Sequence, residues 1–93
     1  MNELRPRVVH CKREPFDVYI GRPSDWGNPW SVGIDGTREE VIARYRVYIT
    51  QERPDLLARA KIELKGKVLG CWCAPKSCHG DVLVEVANAE EPE

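Results

Sequence analysis

The sequence predicts a small α/β fold, a single sheet of about three strands packed with about three helices. Three observations carry this. Short runs rich in β-branched and aromatic residues occur at positions 8–11, 16–20 and 67–73. Apolar residues fall at helical spacing after Thr37, after Pro54 and around Asp81. The chain has 93 residues, 42% hydrophobic and 31% charged, which suffices for one modest core and falls short of two domains.

Residues 1–7 are polar with Pro6 and read as an N-terminal arm. The first strand begins at Val8 and Val9 and ends near Cys11. The second, FDVYI, runs from Phe16 to Ile20 and halts at Gly21. Residues 21–36, GRPSDWGNPWSVGIDG, are punctuated by Gly21, Pro23, Gly27, Pro29, Gly33 and Gly36, so no regular element can run through them. A loop of that length in a compact domain is functional or disordered. Trp26 and Trp30 argue against disorder, because exposing both rings to water is costly.

Thr37 opens the first helix. Thr37 and Glu40 have capping-box spacing, and Glu39 adds negative charge to the first turn. Val41, Ile42, Tyr45, Tyr48 and Ile49 form its apolar face, with Arg38, Arg44 and Arg46 on the others. Pro54, beside Asp55, suits the first turn of a second helix. Leu56, Leu57, Ala60 and Leu64 give that helix its stripe, and Gly66 suits its end. Residues 67–73, KVLGCWC, read as a central strand. Val68, Gly70 and Trp72 share one face; Leu69, Cys71 and Cys73 share the other. Ala74 and Pro75 break it. Residues 78–81 begin a third helix that fades into an acidic tail at 89–93. The order β-β-loop-α-α-β-α has no repeat and no linker. It reads as one domain, 1–93, similar to half of a Rossmann unit, with the last strand feeding a helix across a short turn.

The formal net charge of -1 announces neither a nucleic-acid binder nor a polyacidic chain. No apolar run approaches the ~20 residues that cross a bilayer, and the N-terminus lacks a signal-like apolar stretch, so a cytoplasmic protein is expected. Asp81, Glu85, Glu90, Glu91 and Glu93 concentrate acid at the end, leaving the first eighty residues with a surplus of bases. Such a surplus can attract a small anion if some bases converge, or simply solvate the surface.

Of four cysteines, Cys11 stands alone, while Cys71, Cys73 and Cys78 crowd beside His79. In a reducing compartment this clustering points to metal, thiol chemistry or a ligand pocket, or to small buried apolar side chains. Three mechanisms compete on GCWCAPKSCHGD, residues 70–81, where a strand ends and a helix begins. Zinc could be held by Cys71, Cys73, Cys78 and His79, although the spacing differs from the usual paired clips and the chain must curl. Cys78 could be a reactive thiol, with His79 as base and Asp81 orienting the imidazole. The backbone N–H groups near Cys78, His79 and Gly80 could hold a phosphate, with His79 or Lys76 adding a donor. A fourth reading is a packed turn in which His79 and Asp81 only cap the helix.

The second candidate is Tyr19, Gly21 and Arg22 followed by Trp26, Gly27, Asn28 and Trp30. Gly21 permits backbone approach after a strand. Arg22 is a forked donor suited to phosphate or carboxylate. Asn28 can read a base edge or cap a turn, and a tryptophan face can stack on a nucleobase. The plainer alternative is a loop stapled to the core by its tryptophans. Single-stranded nucleic acid would suit the same residues, but the near-neutral charge and the acidic tail weigh against it.

Together, YIGRPSDWGNPW, TREEVIARYRVYI and LKGKVLGCWCAPKSCHGDVL resemble the phage and bacterial proteins grouped as domain of unknown function 4326. The resemblance runs from about Val8 to Ala87. Its signatures are Tyr19 to Arg22 leading to Trp26 to Trp30, and the Cys-Trp-Cys-x-Pro-x-x-Cys-His-Gly-Asp stretch ending at Asp81. It implies a phage or bacterial cytoplasmic setting and supports treating both segments as one site. It supplies no activity.

The two segments are therefore expected to converge on one pocket for a nucleotide-like or phosphorylated small molecule. Arg22 and the helix N-terminus would take the anion, Trp26 or Trp30 would stack, and Asn28 and His79 would add specificity. The alternatives are an enzyme using Cys78 and His79 in nucleotide or glycosyl chemistry, a phage protein sequestering a host signalling nucleotide, and a zinc-stabilised interaction module. Self-association through Val84, Val86 or Tyr48 is a further expectation for so short a chain.

Overall fold

Parallel pairing around a central strand organises the chain, whose computed structural model describes residues 6–89. Arg7–His10 (β1) and Val18–Tyr19 (β2) flank Val68–Cys71 (β3) in one parallel sheet. Val9 and Tyr19 both stand opposite Gly70. With neighbours on both sides, β3 is buried along its whole length, which is why it reads as an apolar run. Arg7, the end of the expected arm, already pairs with Val68. Residues 1–5 of that arm and 90–93 of the acidic tail lie outside the described residues.

The second strand is shorter than its β-rich run. Asp17 and Ile20 still donate backbone N–H groups to Val68 and Gly70 of β3, at 2.7 and 2.9 Å. Phe16 instead lies over β3, where a Cβ on Gly70 would come within 2.5 Å of its ring. Glycine is needed there because the segment joining β1 to β2 covers that face. Leu69 and Cys71 point the other way, into the helical core.

The helices are Arg38–Val47 (α1), Pro54–Glu63 (α2) and His79–Asn88 (α3). Thr37 and Glu40 form the expected capping box: Thr37 Oγ1 accepts from the Glu40 N–H at 3.1 Å, and Glu40 Oε1 from the Thr37 N–H at 2.8 Å. Val41, Tyr45 and Ile49 reach the core, while Ile42 and Tyr48 are half-buried. Beyond α1 the chain widens into a π-helical turn, Tyr48–Glu52, a feature the periodicity does not announce. It ends at Arg53 (φ -128°, ψ 68°), because a residue before proline is driven out of the helical region. Pro54 then starts α2, and Gly66, at φ +74°, reverses the chain toward β3. α3 packs against β1 and β3, and α1 and α2 pack on α3. Of the residues expected to serve self-association, Val86 is buried in this core, and Val84 and Tyr48 are half-buried against it.

Candidate functional site

β2 and β3 end side by side, and the N-termini of α1 and α3 face the same space. The result is a cavity of about 310 Å³. Tyr19, Gly21, Arg22, Asn28 and Trp30 line it from the loop side, and Cys71, Trp72, Cys73, Ser77, Cys78 and His79 from the turn side. The two candidate segments thus meet at one concave site. Val32, Arg38, Val41 and Ile42 complete the wall. Arg38 had no motif to mark it; its only local signal is its place directly after the Thr37 cap.

Arg22 holds the loop together. Its Nε donates to the Asn28 carbonyl at 2.9 Å, and Nη2 donates to the Trp30 carbonyl and to Ser31 Oγ. Asn28 is buried; its amide nitrogen donates to the Val41 carbonyl and its oxygen accepts from the Trp30 N–H. Its geometry is that of a turn cap tied to α1. Trp26 is a core residue under the Arg59 guanidinium, and its carbonyl accepts the Tyr45 hydroxyl at 2.8 Å. It does not line the cavity. Gly27 packs against the Arg22 stem, also outside the wall. Trp30 does line it, edge-on to Tyr48 and covered by Arg44. Opposite, exposed Trp72 donates from Nε1 to the Tyr19 hydroxyl, which donates in turn to the Arg22 carbonyl.

The turn side departs from the expected phosphate cradle. Cys78 caps α3: its Sγ accepts from the Gly80 N–H at 3.3 Å, and the Asp81 carboxylate accepts from the Cys78 N–H at 3.2 Å. A capping box has satisfied two of the amides expected to hold an anion. Lys76 is exposed in the turn and Gly80 is packed under Ile20 and Val8, so neither lines the cavity. Asp81 caps the helix; the His79 ring is oriented instead by the Ile20 carbonyl, 2.8 Å from Nε2. A carbonyl can only accept, so Nε2 carries the proton in the neutral ring and Nδ1 keeps its lone pair. Burial, the largest influence, pulls the His79 pKa below its ordinary value and keeps the ring neutral. His79 lines the cavity, with Nδ1 as the acceptor of its ring. An acceptor at Nδ1 is what the expected base requires, and the expected donor requires the other nitrogen.

The chain does curl to gather the sulfurs. The Lys76 N–H bonds to the Cys73 carbonyl across a turn containing Pro75, and the Sγ atoms of Cys71, Cys73 and Cys78 lie within 4.8 Å of one another. This trio could hold a metal ion. His79 does not join it. Cys71 and Cys78 approach to 3.2 Å. The Cys78 thiol and the Cys73 N–H stabilise the Cys71 thiolate and hold its pKa well below the ordinary value, while the same pairing and burial push Cys78 up. Cys71 and Cys78 therefore give up their first proton as a pair across this contact, and each sulfur also accepts a backbone N–H. Burial also raises the Cys73 thiol, partly offset by the Arg38 guanidinium. Arg38 Nη1 donates to the Ser77 carbonyl at 3.0 Å, bridging α1 to the turn.

No helix among the described residues is long and apolar enough to cross a membrane. Two viral proteins are similar over most of their length. An uncharacterized 12.4 kDa protein of Enterobacteria phage T4 is 40% identical over 85 residues, covering 88% of this chain and 77% of the relative. An uncharacterized protein of Acanthamoeba polyphaga mimivirus is 36% identical over 105 residues, covering 87% and 78%. No solved structure matches. The model of the family described as Domain of unknown function (DUF4326) matches residues 5–89, both cavity-forming segments included, and the chain belongs to that family.

Proposed function

We propose that the cavity binds a nucleotide-like or other phosphorylated small molecule. The charge of its wall carries the reading. The wall's permanently charged side chains are Arg22 and Arg38, which donate to carbonyls and a hydroxyl, Arg38 standing also beside the Cys73 thiol. Arg46, Arg53 and Arg59, elsewhere on the surface, are each neutralised by a carboxylate. Two guanidiniums at one concave mouth whose lining holds no carboxylate favour an anion. The volume is at the low end of small-molecule pockets, about 300–1,000 Å³, and the Trp30 and Trp72 rings at its sides suit a flat ring. The cytoplasm of an infected or bacterial cell is the setting that such a ligand suits.

Thermal-shift titration of nucleosides, nucleotides and inorganic phosphate tests this. Phosphorylated compounds should raise the melting temperature and nucleosides should not. Arg38→Ala should weaken binding by about tenfold or more, from the roughly 1.5–3 kcal/mol of a charged hydrogen bond. A panel in which no phosphorylated compound shifts the wild-type protein ends the proposal. The acceptor nitrogen of His79, a cavity-lining residue, favours a second reading, in which the bound molecule is turned over. Recovering the ligand unchanged from the complex would instead indicate sequestration, the role suited to a viral protein capturing a host signalling nucleotide. Zinc is the ion that the three thiols suit, and it is compatible with either reading.

A further inference from the structure

The sulfur trio has a chemistry that anion binding does not use. Cys71 ends β3, Cys73 follows in the turn and Cys78 caps α3, so three separate backbone settings aim thiols at one point. All three are free thiols. A tetrahedral ion with zinc–sulfur bonds near 2.3 Å holds its sulfurs about 3.8 Å apart. The Sγ atoms, 3.2 Å apart for Cys71 and Cys78 and all within 4.8 Å, reach that spacing by side-chain shifts of about 1 Å or less. Two backbone N–H groups already point at the sulfurs, from Cys73 to Cys71 Sγ at 3.2 Å and from Gly80 to Cys78 Sγ at 3.3 Å. Outer hydrogen bonds of this kind hold metal ligands in place.

We propose that Cys71, Cys73 and Cys78 bind one zinc ion as a three-thiolate site whose fourth position opens into the cavity. Among the described residues no histidine, carboxylate or fourth cysteine joins the group. The His79 ring is tied to Ile20 through Nε2 and stands apart from it. Three protein ligands with one open position is the arrangement of a zinc ion that acts on a ligand, whereas a purely structural zinc is closed by four. Binding forms three zinc–sulfur bonds and releases the thiol protons to solvent. The product carries one net negative charge, which Arg38 on the same wall offsets. The site shares the cavity with the anion reading but does not depend on it.

Cobalt(II) titrated into the reduced full-length chain, with no nucleotide or phosphate present, tests the proposal. One equivalent should give intense sulfur-to-cobalt charge-transfer absorption and the strong visible bands of a tetrahedral ion, and one equivalent of zinc should erase both. Cys71→Ser, Cys73→Ser and Cys78→Ser should each remove charge-transfer intensity, while His79→Gln and Cys11→Ser retain it. Azide or a small thiol should shift the visible bands by entering the fourth position. Absence of charge-transfer absorption in the wild-type chain overturns the site, whatever the variants do. A spectrum lost in His79→Gln, or visible bands indifferent to added ligands, overturns the open fourth position. Nucleotide thermal shifts measured with a chelator present report on the anion reading alone, so either can fail without the other.

Discussion

Tyr45→Phe asks whether one buried hydroxyl holds the tryptophan-bearing loop to α1. Tyr45 is fully buried, and its hydroxyl donates to the Trp26 carbonyl at 2.8 Å. Without the oxygen, that carbonyl loses its donor inside the core, at a cost of about 1–3 kcal/mol. For a domain of this length, each kcal/mol lowers the melting temperature by about 4–8 °C. The same hydroxyl makes stability depend on pH. Burial, with smaller contributions from Tyr48 and Cys78, raises the Tyr45 pKa far above its ordinary value. The unfolded chain releases the phenol proton near pH 10, about where a free tyrosine does, while the native state keeps it. Native protein then binds the extra proton, so this contribution is intact below about pH 10 and is lost as pH rises toward the folded value. Between about pH 10 and pH 11 the loss is about 1 kcal/mol, and the Phe variant escapes it. Urea unfolding followed by circular dichroism should therefore show a gap between the two proteins at neutral pH that narrows by about 1 kcal/mol over that alkaline step. Coincident midpoints at neutral pH, or a gap that stays constant, would refute the reasoning.

Gly70→Ala drives a methyl group into the Phe16 ring and should destabilise by about 1–3 kcal/mol. In a Phe16→Ala background most of that cost should vanish, and strict additivity in a double-mutant cycle would contradict the packing of the β1–β2 connection over β3. Thr37→Ala removes one half of the capping box and should cost about 1 kcal/mol, read from the urea midpoint; an unchanged midpoint would make the cap dispensable. Arg46→Ala breaks an ion pair whose side chains are 47% and 61% exposed, so its cost should stay below about 1 kcal/mol and shrink in salt. A loss well beyond that would mean Arg46 supports more than Glu85.

What the chain's own order of residues determined is its local architecture. Thr37 with Glu40, Pro54 and Gly66 mark helix boundaries through contacts spanning a turn or less, so they are legible without a fold. The apolar run of β3 likewise announces a strand with neighbours on both sides, and segments that each follow a strand are natural candidates to share a rim. Which donors and acceptors face that rim was decided by tertiary structure. Arg38 reaches the Ser77 carbonyl 39 residues away, and the Ile20 carbonyl, 59 residues before His79, selects which ring nitrogen keeps its lone pair. Trp26 looks like a ligand group in the sequence, but the fold spends it on the core, while Asn28 lines the cavity and is tied to α1. Hydrogen bonds between distant carbonyls and side chains leave no periodicity behind. The roles of His79, Arg38 and the gathered thiols therefore appear only once the chain has closed on itself.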